Sequence, residues 1–256
     1  MDQTYRIAVW QGASPKGDVA LAFAALGQAL RAAAAMGAKV LVAPEVYLPG
    51  YNQDNLALLA QVRGGVWHQR LSGMAAAAGC GVVVGYAERD GGQLFNSAVA
   101  FGANGAELAH YRKVQLYGAR EKALFSPGEA YATFSLAGKK AALLICYDIE
   151  FAPHIAALAA EGVEVILCPT ANMAPFTHVA QATVPAMAAN YGLTIAYANY
   201  CGVEGDLTYV GLSLVADPYG AALVQAGTGP ALLVADLPAV LDPARIATQA
   251  RDFRAV

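Results

Sequence analysis

The chain has 256 residues, 57% of them hydrophobic and 14% charged, with a formal net charge of -3. That balance gives no electrostatic case for nucleic acid or an anionic membrane surface as a partner. The length fits one large domain, and a mean hydropathy of +0.41 provides for an extensive core and a further apolar face buried between subunits.

In chain order, the opening residues Met1-Asp2-Gln3-Thr4-Tyr5-Arg6 lack a basic segment followed by an apolar run, so no secretory signal is expected. Residues 5–10 read as a first strand. Asp18 is placed to cap a helix running to about residue 36, with Phe23, Leu26, Leu30 and Ala33 on one stripe and Gly37 as its stop. Gln28, Arg31 and Lys39 interrupt this Ala-rich stretch, so no run of ~20 apolar residues is left to cross a bilayer. A strand over 39–43 leads to Glu45, and Pro49-Gly50 marks a loop behind it. A second helix is predicted over 66–78, with Trp67, Leu71, Met74 and Ala78 on one face, then a strand over 81–87. Gly91-Gly92 makes a hairpin, and strands over 94–101 and 107–111, joined through Asn104-Gly105, carry Lys113 into a loop. Two more strands, 130–135 and 139–145, lead to Cys146. Strand and helix then alternate: helix 152–160, strand 163–168, helix 178–190 and strand 193–199. Strands over 213–216, 221–225 and 231–235 close the chain. No linker, charge block or low-complexity tract divides it, which predicts one domain over 1–256, with two packed sheets and helices outside.

Cys146 stands where a buried strand ends and a helix is expected, the place where ligands gather in open α/β sheets. The N–H groups and positive end of that helix are expected to favour the thiolate. Glu45 and Lys113 also follow apolar strands, and a glutamate, a lysine and a cysteine at strand ends are the parts needed to attack a carbon–nitrogen bond. The other cysteines, Cys80, Cys168 and Cys201, read as core or subpocket thiols, with no C-x-x-C spacing; free thiols suit a reduced, cytoplasmic setting. His68, on a helix, and the scattered His110, His154 and His178 lack metal-ligand spacing and read as surface or satisfied side chains. Asp148 and Glu150 read as helix-start charges and polar anchors.

Three segments carry a resemblance: Ala43-Pro44-Glu45-Val46-Tyr47-Leu48-Pro49-Gly50-Tyr51, Tyr111-Arg112-Lys113-Val114-Gln115-Leu116-Tyr117-Gly118, and Leu144-Ile145-Cys146-Tyr147-Asp148-Ile149-Glu150-Phe151. In order and spacing they resemble the nitrilase superfamily of carbon–nitrogen hydrolases over essentially the whole chain. The resemblance implies a four-layer αββα sandwich and a Glu–Lys–Cys triad at Glu45, Lys113 and Cys146. It places a second glutamate at Glu121, and it implies no cofactor and no metal. Cys146 is then the nucleophile, Glu45 the proton shuttle, and Lys113 with the backbone N–H of Tyr147 the oxyanion donors, while Glu121 orients Lys113 and the substrate. Dimers or higher homo-oligomers are common among such proteins and are expected here.

The Cys146-Tyr147-Asp148 context is similar to that of the aliphatic amidase and omega-amidase branches, which favours a primary amide over a nitrile. Many relatives carry Arg at position 150 and Pro at 152, where this chain has Glu150 and Ala152. By the same pattern Asn172, Met173 and Phe176 line the acyl pocket, with Tyr51, Tyr117 and Tyr147 as further walls. Without a dense Arg cluster, a small neutral or apolar amide is the expected substrate. The alternatives are an N-carbamoyl hydrolase or nitrilase on the same triad, and a catalytically inactive binding protein on the same fold.

Overall fold

The structure, a computed structural model, describes residues 5–254. Met1 to Thr4, which begin the segment read for a secretory signal, lie outside the described residues. In chain order the elements are β1 (Tyr5–Gln11), α1 (Val19–Ala35), β2 (Val40–Val42), α2 (Leu56–Leu59), α3 (Val66–Ala78), β3 (Gly81–Asp90), β4 (Gln93–Phe101) and β5 (Glu107–Arg112). There follow α4 (Gly118–Leu124), β6 (Ala132–Leu136), β7 (Lys139–Leu143), a 3-10 turn (Cys146–Glu150), α5 (Ala152–Ala160), β8 (Val165–Pro169), a π-helical turn (Val179–Thr183) and α6 (Val184–Tyr191). The last part comprises β9 (Thr194–Ala198), β10 (Cys201–Glu204), β11 (Leu207–Val210), β12 (Leu214–Ala216), β13 (Ala222–Gln225), β14 (Ala231–Leu237) and a final turn, α7 (Gln249–Asp252).

Two six-stranded sheets form the centre, in the orders β14-β1-β2-β3-β4-β5 and β13-β12-β9-β8-β7-β6. Each has a parallel middle, β1-β2-β3 in one and β7-β8-β9 in the other, with antiparallel strands at its flanks. Strand alternation decides what packs where. Ile7, Val9, Val40, Val42 and Val83 share one apolar core with the second sheet, to which Leu143, Ile166, Leu167 and Ala196 contribute. Their neighbours Ala8, Leu41, Val82 and Val84 point outward and pack beneath Phe23, Leu26 and Leu30 of α1 and Leu71 of α3. Helices α5 and α6 cover the far face through Ile155, Leu158, Val184 and Ala188. The result is the expected sandwich of helix, sheet, sheet and helix. Among the described residues no helix is long and apolar enough to cross a membrane.

The predicted helices form for the predicted reasons. Asp18 accepts a hydrogen bond from the Leu21 N–H, and the stripe Phe23, Leu26, Leu30 and Ala33 is buried. Helix α3 departs from its expected face: Trp67, His68, Leu71 and Ala75 are buried, while Met74 and Ala78 are only half-covered. They line a groove shared with Gly27, Leu30 and Arg31 of α1. His68 is therefore neither at the surface nor satisfied. It is 3% exposed, its ring nitrogens form no hydrogen bond among the described residues, and its Nδ1 lies 3.4 Å from the Glu107 carboxylate. The β10–β11 hairpin and α4 were not foreseen, because four-residue strands and a helix opening on Gly118 are too short for a periodic signal.

Candidate active site

The carboxyl ends of the parallel strands gather the candidate residues. Glu45 follows β2, Lys113 is the first residue after β5, and Cys146 follows β7. Strands β4 and β5 are each reversed, so β5 finishes at the same end of its sheet as β3. Bonds from the strand ends of the opposite sheet hold the Glu45 backbone: its N–H donates to the Thr170 carbonyl at 3.3 Å, and the Tyr200 hydroxyl donates to its carbonyl at 2.9 Å. Gly85 of β3 permits this close passage, since a Cβ there would lie 2.6 Å from the Glu45 Cα. Residue Val46 takes a φ of 43° to turn the chain away. Lys113 is anchored through its backbone, donating to the Asn96 carbonyl and accepting from the Gly128 N–H, both at 2.8 Å.

The three buried charged side chains form one cluster. Lys113 Nζ lies 2.6 Å from Glu45 Oε1 and 2.9 Å from Glu121 Oε1. Burial disfavours the lysine's charge, but Glu121 and Glu45 outweigh it and hold the ammonium well above its ordinary range. One ammonium cannot neutralise two carboxylates, and the donors are shared unequally. Glu121 receives Lys113, Asn96 at 3.2 Å and the Tyr51 hydroxyl at 2.9 Å on one oxygen, and the Tyr117 N–H at 2.6 Å on the other. Among the described residues Glu45 receives only Lys113 and Asn96, both at 2.6 Å and both on Oε1, leaving Oε2 buried with no partner. Burial therefore raises the Glu45 carboxyl to about 7, against the pull of Lys113. Two carboxylates beside one cation are thus differentiated by their donors, and the less well served of them, Glu45, is the one able to exchange a proton near neutrality.

The nucleophile turn corrects one expectation. Cys146 is followed by a five-residue 3-10 turn rather than an α-helix, and it takes a φ of 47°, a strained position for any residue but glycine. Burial and the neighbouring Glu45 charge push its thiol well above the ordinary range, outweighing Lys113, so the resting group is a neutral thiol and not a helix-stabilised thiolate. Asp148 is the anchor expected of it. Its carboxylate accepts the Ile145 N–H at 3.0 Å, the Gln115 N–H at 2.7 Å and the Tyr111 hydroxyl at 2.8 Å, which ties the thiol turn to the lysine loop. The expected helix does begin at Ala152, with Pro153 in its first turn, where no N–H is required.

Cys146 opens into a cavity of about 220 Å³ lined by Tyr51, Tyr117, Tyr147, Glu150, Ala171, Asn172, Met173, Phe176 and His178. Every expected pocket residue lies there. Tyr117 stacks edge-on to Tyr147 and Phe176, with centroids 5.3 and 6.0 Å away. Asn199 pins the opposite wall by accepting from the Asn172 N–H and donating to its carbonyl. A larger groove, about 670 Å³, runs past Arg63, Asp90 and Arg112, but it contains none of the triad. Among the described residues no three metal-binding side chains gather.

Sequence reasoning missed Asn96, Glu150 and His178. Asn96 has a readable signal, a polar side chain inside the apolar strand Leu94 to Phe101, where it is fully buried. As the donor shared by Glu45 and Glu121 it is a positioning residue. Asn96→Ala is expected to slow turnover by roughly tenfold to a hundredfold, the value of a hydrogen bond to a charged group. The acid limb of its pH–rate profile should also move upward, because Asn96 favours ionised Glu45. A slower enzyme with an unmoved limb would assign Asn96 to packing alone.

A sandwich of two sheets whose strand ends join a thiol, an ammonium and a carboxyl of near-neutral affinity defines a hydrolase of the cysteine-nucleophile kind. Residues 6–246 match the model of the carbon–nitrogen hydrolase family. The chain is 40% identical to a protein from Pseudomonas protegens known as the hydrolase in the pqqF 5' region, over 92% of this chain and 83% of that one. It is 36% identical to an (R)-stereoselective amidase from Pseudomonas sp., over 73% of this chain and 69% of the other. It also superposes with a TM-score of 0.87 and 36% identity on an amidase variant from Nesterenkonia sp., covering 92% of this chain and 91% of that one. That structure carries the acetamide moiety of fluoroacetamide covalently added at its active-site cysteine. The chain belongs to the carbon–nitrogen hydrolase family, within the nitrilase superfamily, and is a hydrolase of non-peptide amide bonds.

Proposed function

We propose that this protein hydrolyses a short primary amide to a carboxylic acid and ammonia through a thioester on Cys146. The observation that carries the reading is the free, buried Glu45 Oε2 at a carboxyl of near-neutral affinity beside a neutral thiol. Glu45 takes the thiol proton as sulfur attacks the carbonyl carbon, so charge separates only in the transition state. The oxyanion is met by the Lys113 ammonium and the Tyr147 N–H, which lies in the first turn of its 3-10 segment, where backbone donors have no acceptor within the turn. Glu45 passes its proton to the amide nitrogen, the C–N bond breaks and ammonia leaves. Water then gives a proton to Glu45 and attacks the thioester, and the thiol recovers that proton as the acid departs. Glu121, 2.9 Å from the Lys113 ammonium, holds it in place. The cavity is smaller than the ~300 Å³ at which drug-sized pockets begin, which supports a short acyl group.

The test is ammonia release across short amides, nitriles and ureido acids, with short amides the substrates expected to turn over. Carbon dioxide from ureido acids would assign a carbamoyl hydrolase, and inertness toward all three would reject the enzyme reading. The pH profile is a second check. Protonated Glu45 cannot accept the thiol proton, so kcat/KM should fall as pH drops through about 7 and level off above it. Lys113 keeps its proton on that plateau. Activity that stays constant from about pH 8 down to about pH 5 would remove Glu45 as the base.

A further inference from the structure

Glu150 enters neither the triad nor the anchoring of its turn. In a 3-10 turn, residues three apart lie on one face, so Tyr147 and Glu150 both look into the cavity while Asp148 and Ile149 are buried inside. The rise of about 2 Å per residue sets Glu150 about 8 Å along the turn from the nucleophile, the reach of a short acyl chain. Its carboxyl is half-buried and, among the described residues, makes no hydrogen bond or ion pair. The other three acidic groups around the site, Glu45, Glu121 and Asp148, all have donors. Among the described residues no lysine or arginine lines the cavity. Arg120, whose guanidinium lies 5.8 Å from the Tyr51 ring, donates to the carbonyls of Tyr51 and Gln53, and the Lys113 ammonium is held by Glu45 and Glu121. Among the described residues the one basic side chain on the wall is His178.

A half-buried carboxylate without a protein partner, on the wall of a substrate cavity, is matched by a cation from the ligand and opposed by an anion. We propose that Glu150 forms an amine-binding subsite, so that the preferred substrates are short amides whose acyl chain carries a protonated amine. This goes beyond the neutral acyl group expected from the sequence, and it rests on the amidase reading. A substrate with a terminal carboxylate would meet Glu150 as a like charge.

The test compares β-alaninamide with butyramide, which has the same number of heavy atoms and no charge, and with succinamate, which carries a carboxylate. At neutral pH, kcat/KM for β-alaninamide should exceed that for butyramide by roughly tenfold, with succinamate slowest. The ratio should shrink with added salt, as a half-exposed ion pair requires. In Glu150→Gln the β-alaninamide to butyramide ratio should collapse toward one, whatever the absolute rates become. Equal rates for the two amides in the unmodified enzyme, or a ratio unchanged in the variant, would overturn the subsite while leaving the amidase standing. Failure to release ammonia from any of the three, or from the wider amide screen, would overturn both. Because the unmodified enzyme already gives the ratio and its salt dependence, a misfolded variant does not rescue the idea.

Discussion

Replacing Cys146 with alanine is expected to abolish ammonia release, lowering kcat by roughly five orders of magnitude, as loss of a covalent nucleophile does elsewhere. The structure makes the loss specific. In the proposed mechanism the thiol alone accepts the acyl group, and the other three cysteines are buried and do not line the cavity. Serine should not rescue it, although its oxygen would occupy nearly the same point. Glu45, with a carboxyl raised only to about 7, is matched to a thiol and is far too weak a base for a hydroxyl. Mass spectrometry under turnover supplies the second readout: an acyl adduct on the unmodified enzyme that is absent from the alanine variant. The fold should survive, because alanine removes one atom and keeps the strained φ of 47° unchanged. Retention of a few per cent of the rate by the alanine variant would refute covalent catalysis at this residue.

Lys113→Met should have the second largest effect, on both rate and stability. The substitution keeps most of the length of the side chain, one atom short, and deletes the cation shared by Glu45 and Glu121, leaving two buried carboxyls facing one another. Breaking such a buried pair costs about 3–5 kcal/mol, and losing an oxyanion donor slows turnover by roughly a hundredfold to a thousandfold. The sign of the pH dependence separates this account from simple loss of packing. Without the ammonium, the folded-state affinity of Glu45 for its proton rises further above its unfolded value. Stability linked to the protonated form is then fully present below the unfolded value and lost as pH rises through the folded one. The stability deficit of the variant should therefore be greatest at neutral pH and shrink toward acid, as read by denaturant unfolding at several pH values. A deficit independent of pH would show that the charges around Lys113 do not govern its effect.

Glu45, Lys113 and Cys146 were legible because each follows an apolar strand, and because the residues around them form three segments in a recognisable order. The strands themselves were legible from alternation and turn residues, apart from the short β10 and β11. Sheet order was not, since the pairing of β1 with β14 joins residues more than two hundred positions apart and leaves no local trace. The state of the thiol was misread for a related reason. A cysteine before a helix suggests a stabilised thiolate, but depth of burial and the Glu45 charge are tertiary properties, and they prevail. In the sequence Glu150 reads as a helix-start charge and polar anchor, and His178 as a surface or satisfied side chain. Only the folding of the 171–178 segment against the 3-10 turn makes them walls of a cavity.

The nucleophile belongs to one sheet, and the base and ammonium belong to the other. They meet because Asp148 grips Tyr111 and Gln115 across the divide, and because Thr170 and Tyr200 hold the Glu45 backbone from the opposite side. Each ladder is complete in itself, so a shear of the two layers by about an ångström would break no strand pairing and yet separate sulfur from its proton acceptor, a displacement that elsewhere slows catalysis about a hundredfold. Catalytic competence is thus a property of the seam, and it can be lost while both halves remain folded.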